Sequence, residues 1–222
     1  MKKLDREQAA ETFALGAVLA LAGGFLDAYS YLARGGVFAN AETGNMVLLG
    51  INLLQGDFGK ALHYVAPILA FALGVCVAEG MKAKFEAHPV LHWRQLTLGA
   101  ELLAVLVVAF LPESLDMLAN VLVSFTCAVQ VESFRRLRGR AFATTMCTGN
   151  LRSGTEQLTL FWRTRDPETL AAALRYYGII VVFIVGAALG ALAVAGFGQR
   201  ATLWCVGLLA VAFLLLTIRN RT

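Results

Sequence analysis

Charge is what this sequence has least of. Asp, Glu, Lys and Arg make up only 15% of its 222 residues, where an ordinary soluble domain carries about a quarter. So few charges could not cover the surface of a soluble domain of this size. A soluble enzyme, a nucleic-acid-binding domain and a disordered chain are therefore set aside. Cysteine is scarce too: Cys76, Cys127, Cys147 and Cys205 lie in or beside apolar stretches without paired spacing. They read as small buried hydrophobes, with no disulfide framework and no zinc site. Of the three histidines, His88 and His92 are four apart but straddle Pro89 in a charged loop, and His63 stands alone. A metal site needs more ligands than that. There is no His-Glu-x-x-His, nucleophile elbow, phosphate-cradling loop or dinucleotide fingerprint, so neither an enzyme activity nor a cofactor is expected.

What the chain has is apolar length. Hydrophobic residues are 58% of the total and mean hydropathy is +0.67. About 20 apolar residues cross a bilayer as helix. Six such runs are read, at about 12–33, 61–81, 95–111, 115–134, 170–195 and 201–218. Two shorter segments remain, about 43–55 and 148–160, each of about 13 residues or roughly 20 Å as helix, too short to cross a core of about 30 Å. Ala20-Leu21-Ala22 has the small-x-small form of a signal-peptide site, but the apolar run continues to Leu32, which favours an uncleaved first span.

The net charge of +4 is read as loop charge that sets orientation rather than as a nucleic-acid footprint. With six spans and the N-terminus inside, only Arg34, Lys60 and Arg200 of the 19 basic residues fall outside, which leaves 16 inside. The expectation is a multi-pass membrane protein with both termini cytoplasmic. If the short segments also crossed, Arg135 to Arg140 would face outside, so they are read as re-entrant.

The chain also repeats itself. Thr43-Gly44-Asn45 recurs as Thr148-Gly149-Asn150, 105 positions on. The same offset pairs Asp27 with Glu132, Ala66 with Ala171 and Thr97 with Thr202, and lays the apolar blocks over one another. Each copy is span, short segment, span, span, about 12–112 and 115–218. Three spans is an odd number, so the second copy enters from the opposite side, giving the inverted-topology repeat common in secondary transporters.

The fold expected is thus all-α: one polytopic domain of six transmembrane helices and two short re-entrant half-helices. Each short segment is pictured as an extended dip, a turn at Thr-Gly-Asn and a returning half-helix. Thr43, Gly44, Asn45, Thr148, Gly149 and Asn150 then form a substrate site at the helix ends near the midplane. The alternative is that both tripeptides are interfacial helix caps. Asp27, a costly charge well inside the first span, is read either as a proton carrier or as an Asp held by Tyr29, Tyr31 or the nearby loop. Glu132 is its counterpart in the repeat, or else an ordinary surface partner of Arg135 and Arg136. Tyr29, Asn120, Ser124 and Gln130 either line a pathway or bind helices together. Glu101 is read as structural or as a minor pathway residue. Gly186 and Gly190 form a Gly-x-x-x-Gly step suited to close helix packing.

Gly23-Gly24-Phe25-Leu26-Asp27-Ala28-Tyr29-Ser30-Tyr31, followed by Phe38-Ala39-Asn40-Ala41-Glu42-Thr43-Gly44-Asn45, resembles the YoaK-like family of bacterial integral membrane proteins. Thr148-Gly149-Asn150-Leu151-Arg152 fits the same pattern, and the resemblance covers about 12–218. It implies an inner-membrane protein of this length, and no established substrate, cofactor or reaction. Two functions are carried forward. One is a small secondary transporter or permease for an unidentified small molecule or ion, with a zwitterion or weak acid fitting both the helix ends and Asp27. The other is a non-transporting assembly, stress or scaffold protein that presents Arg135 to Arg140 to a partner or to anionic lipid. The bilayer is the one partner implied by composition; a homo-oligomer is left open.

Overall fold

A computed structural model describes residues 12–85, 93–137, 140–141 and 144–219. His88, His92 and the loop arginine Arg138 lie outside the described residues. Among the described residues there are eight α-helices: α1 (Phe13–Ala33), α2 (Glu42–Leu54), α3 (Phe58–Phe85), α4 (Trp93–Val108), α5 (Asp116–Ser133), α6 (Cys147–Thr164), α7 (Pro167–Phe197) and α8 (Thr202–Arg219). A two-residue antiparallel pairing, Arg136–Leu137 with Arg140–Ala141, follows α5.

Local chemistry explains the boundaries. α1 ends where Gly35 and Gly36 take φ of 81° and 75°, a left-handed region that costs a glycine little. α7 starts with Asp166 accepting from the Glu168 N–H at 3.0 Å and Pro167 at its first position, where a missing N–H is harmless. α6 stops at Arg165, whose φ is 57°.

Four helical stretches are long and apolar enough to cross a membrane: Phe13–Ala33, Phe58–Phe85, Glu113–Ser133 and Pro167–Ile218. The last contains α7 and α8, separated by a 3₁₀ turn at Gly198–Ala201. α4, with 16 residues, is about 24 Å long. The second short segment is longer than the sequence suggests. α6 has 18 residues, because Phe161 to Thr164 continue the helix; its charges rather than its length set it apart from the apolar helices.

α1 packs along α7, and α3 along α5. α2 lies on α3, and α6 on α7. α4 packs on α5 and α8, and α8 also on α1. The main apolar core sits between α1, α4, α5 and α8 and includes Leu15, Leu19, Leu98, Val105, Val123 and Leu209. Leu54, Leu69, Phe110 and Leu192 instead point outward, each more than 60% exposed. In water such an apolar exterior would drive aggregation; in a bilayer it is the face that lipid covers.

Candidate functional site

The loop between α1 and α2 is folded into the interior. Val37, Ala39 and Asn40 are buried although their backbone is not helical. Buried backbone must find partners, and polar side chains supply them. Asp27 accepts the Asn40 N–H at 2.8 Å. Asn40 Nδ2 donates to the Gly23 carbonyl at 2.8 Å. The Ser30 hydroxyl takes the Ala39 N–H at 3.1 Å, and Ser124 donates to the Ala39 carbonyl at 2.9 Å. Asn120 donates to the Arg34 carbonyl at 2.8 Å. Asn45 brackets Phe38, accepting its N–H at 3.0 Å and donating to its carbonyl at 2.7 Å.

These contacts settle several sequence expectations. Asp27, 6% exposed, is held by the loop and not by Tyr29 or Tyr31. Tyr29 is fully buried; its hydroxyl accepts from Arg34 and donates to the Gln199 carbonyl, which fixes it in place and removes it from a pathway lining. Asn120 and Ser124 both hold the loop. The two tripeptides are neither turns nor caps: α2 begins at Glu42 and α6 at Cys147, each without a side-chain cap bond. Thr43-Gly44-Asn45 and Thr148-Gly149-Asn150 are therefore first-turn helical residues. Asn45 and Asn150 are buried, Gly44 is half-buried against Phe38, and Thr43, Thr148 and Gly149 are exposed.

Where the loops come together lies three residues ahead of each tripeptide. Asn40 bonds Gly23 from one side, and the Thr145 methyl sits where a Gly23 Cβ would be, 2.6 Å away. Thr145 Oγ1 also lies 4.0 Å from Cys127 Sγ. Asn40 and Thr145 stand 105 positions apart, the same offset that joins the tripeptides.

Glu132 is not a partner of Asp27 in space or in kind. It is half-buried and bonded at 2.7 Å to Arg135, itself exposed. The buried positions of α5 fall on those of α1 at a spacing of 104, pairing Leu15 with Ala119, Leu19 with Val123 and Leu26 with Gln130. That spacing sets Val131 opposite Asp27. Gln130 is the one proposed pathway residue that touches the second loop, at Thr144, 2.9 Å away.

One burial escaped the sequence reading. Arg34, expected in an outer loop, is wholly buried. It bonds Tyr29, Asp116 and the carbonyls of Val108 and Leu111 at the end of α4. Glu101 is also buried, at 2% exposure. An open groove of about 750 Å³ runs along the polar face of α6 from Thr148 to Arg163, past Arg152, Thr155 and Glu156.

An apolar exterior, with buried polar side chains and irregular backbone folded inside it, defines a multi-pass helical membrane protein. The chain belongs to the family described as "Protein of unknown function (DUF1275)", whose model matches residues 15–215. It is 28% identical over 185 residues to the UPF0700 transmembrane protein YoaK of Bacillus subtilis (strain 168), across 79% of this chain and 81% of that protein. No solved structure matches it.

Proposed function

We propose that this protein is a small secondary transporter of the bacterial inner membrane. It has six spans and two re-entrant half-helices, arranged as two inverted repeats with both termini cytoplasmic. The observation that carries the reading is the meeting of the two loops at Gly23, between α1 and α5. Non-helical backbone at that depth is tolerated where it is buried in protein or lines a cavity, and transporters use such breaks to bind substrate.

The packing supports the repeat. Exchange α1 with α5, α2 with α6, α3 with α7 and α4 with α8, and the principal packed pairs map onto one another. The third helices match at a spacing of 112 rather than 105. Ala61-Leu62-His63-Tyr64 falls on Ala173-Leu174-Arg175-Tyr176, and Gly74 on Gly186. Ala61, Tyr64 and Gly74 are buried in α3, as Ala173, Tyr176 and Gly186 are in α7.

The substrate class follows from an asymmetry between the half-helices. The start of α2 already has two carboxyl groups of the protein beside it, Asp27 and Glu42. Among the described residues, Asn40 Oδ1, Glu42 Oε1 and Asn120 Oδ1 are buried acceptors without a hydrogen-bond partner, a setting for a cationic group. The start of α6 carries no acidic residue in its first turn, and its N–H groups favour an anion. A small zwitterion satisfies both ends.

The test is a thermal-shift screen of small amino acids, betaines and weak acids on the purified protein, repeated on Thr148→Trp and Asn40→Ala. A compound that stabilises the native chain and neither variant supports the reading. Stabilisation unchanged in both variants places binding elsewhere and overturns it. Orientation is checked by impermeant thiol labelling in a background without native cysteines. A cysteine at position 57 should react from outside and one at 138 from inside only; reaction of both from one side would remove the inverted repeat.

Asp27→Asn separates coupling from folding. The amide keeps an acceptor for the Asn40 N–H, so the loss of stability should stay within about 1.5 kcal/mol, the worth of one ordinary hydrogen bond. Proton-dependent uptake of any substrate found should disappear, because an amide carries no proton. Unfolding of Asp27→Asn would make the residue purely structural.

A further inference from the structure

Glu101 has no role in the reading so far. It lies inside α4 and its carboxyl group is buried, and among the described residues no lysine, arginine or histidine is ion-paired to it. A carboxylate in such a place is expensive unless donors satisfy it. Its polar neighbour is the Gln130 amide of α5. One amide atom lies 2.7 Å and 3.1 Å from the two Glu101 oxygens, and the other lies 2.9 Å from Thr144 Oγ1.

Both orientations of that amide give a satisfied chain, but for opposite charge states of Glu101. With Nε2 toward Glu101, the amide donates to a carboxylate, and Gln130 Oε1 accepts from the Thr144 hydroxyl. With Nε2 toward Thr144, it donates to that hydroxyl, and Oε1 faces Glu101. Two acceptor oxygens at 2.7 Å need a proton between them. A carboxylic acid supplies it, donating its O–H to Gln130 Oε1.

We propose that Glu101 is a proton-binding site whose occupancy is relayed by rotation of the Gln130 amide to Thr144 on the second re-entrant loop. A proton from water joins the Glu101 carboxylate and forms an O–H bond. The amide then turns by half a revolution, and Thr144 changes from donor to acceptor. Its own hydroxyl proton is freed for the loop; when Glu101 ionises, Gln130 takes that proton's hydrogen bond back. No covalent bond other than the carboxyl O–H is made or broken.

Little else near Glu101 can titrate in its place. The thiols within its electrostatic reach are Cys127 on α5, whose Sγ lies 4.0 Å from Thr145 Oγ1, and Cys205 on α8, which donates to the Ala22 carbonyl. The carboxyls of Asp27 and Glu42 act on the same Cys127. α3 touches α4 sparsely, and its Glu79 is ion-paired with Lys82 and Arg135. On α4 itself, Arg94 is two turns away and donates to the Ser133 carbonyl. The device does not require transport: it acts on the loop whatever crosses the membrane.

The experiment combines infrared difference spectra between pH 5 and pH 9 with hydrogen exchange of residues 144–150, corrected for intrinsic rates, on the full-length protein in nanodiscs. The native chain should show a protonated-carboxyl band that is absent from Glu101→Gln. Its loop exchange should change about fivefold across that range, as gain or loss of one hydrogen bond would produce. Glu101→Gln, whose amide donates to Gln130 as the acid does, should hold the loop in its low-pH pattern. Thr144→Val should keep the carboxyl band and lose the loop response. The proposal is overturned if Glu101→Gln removes none of the protonated-carboxyl intensity, or if the native loop shows the same pH response as Thr144→Val. Should Glu101→Gln fail to fold, the native chain and Thr144→Val still decide the relay.

Discussion

Gly186→Leu should leave little folded protein. A Cβ at Gly186 meets the carbonyl oxygen of Leu21, and one at Gly24 on the facing helix meets that of Phe183. The obstruction is backbone on each side, which cannot rotate away as a side chain can. α1 and α7 would have to separate along their whole contact, exposing the small-residue seam that lets them approach. Overpacking an accommodating core costs about 1–3 kcal/mol; with backbone as the obstacle the cost here should exceed about 3 kcal/mol. Gly190→Leu should behave similarly, since its Cβ would lie 2.6 Å from the Phe25 carbonyl oxygen. Leu192→Phe, at a side chain 70% exposed, should change melting by no more than a degree or two, roughly 0.5 kcal/mol. Melting curves in detergent, followed by size-exclusion fluorescence, compare the three. Equal melting temperatures would make the close approach incidental.

Arg34→Ala carries the second large effect. The guanidinium is fully buried and serves four acceptors within 3.0 Å: the Tyr29 hydroxyl at 2.7 Å, Asp116 at 2.8 Å, and the carbonyls of Val108 and Leu111 at 2.8 and 3.0 Å, with the Pro112 carbonyl farther off at 3.4 Å. Those carbonyls belong to the end of α4, where the helix dipole is negative and orphan acceptors gather. Truncation removes a cation from a buried pair and strands its partners, which costs about 3–5 kcal/mol. Arg34→Lys should recover only part of that, because an ammonium cannot reach four acceptors in a planar fork. Asp116→Asn should cost less than Arg34→Ala, since it leaves the other three acceptors in place. If Arg34→Ala melts within about 1 kcal/mol of the native chain, the buried cluster is not what joins α1 to α4 and α5.

The sequence carried the class of protein and the run of helices. The spans read at 12–33, 61–81 and 170–195 fall within four residues of the ends of α1, α3 and α7, because apolar length is a property of each segment alone. The offset of 105 led to the Thr-Gly-Asn helices; Asn40 and Thr145, three residues earlier, emerged only from their contacts with Gly23. It failed for the third helices. Ala-Leu-x-Tyr and Phe-x-x-Gly recur there at 112, a signal present in the chain but lost to an ungapped comparison when α6 runs on through Thr164.

Tertiary structure decided what each polar residue does. The sequence ranks Asp27 as the sharpest charge and Arg34 as loop; both are buried, and their partners lie 5 to 82 positions away. Glu101, Gln130 and Thr144 sit on three different segments, and only the packing of α4, α5 and the second loop brings them together. Burial within a span follows from hydropathy summed over one stretch of chain. The partner of a buried polar atom depends on where a distant backbone passes, and no local pattern encodes that path.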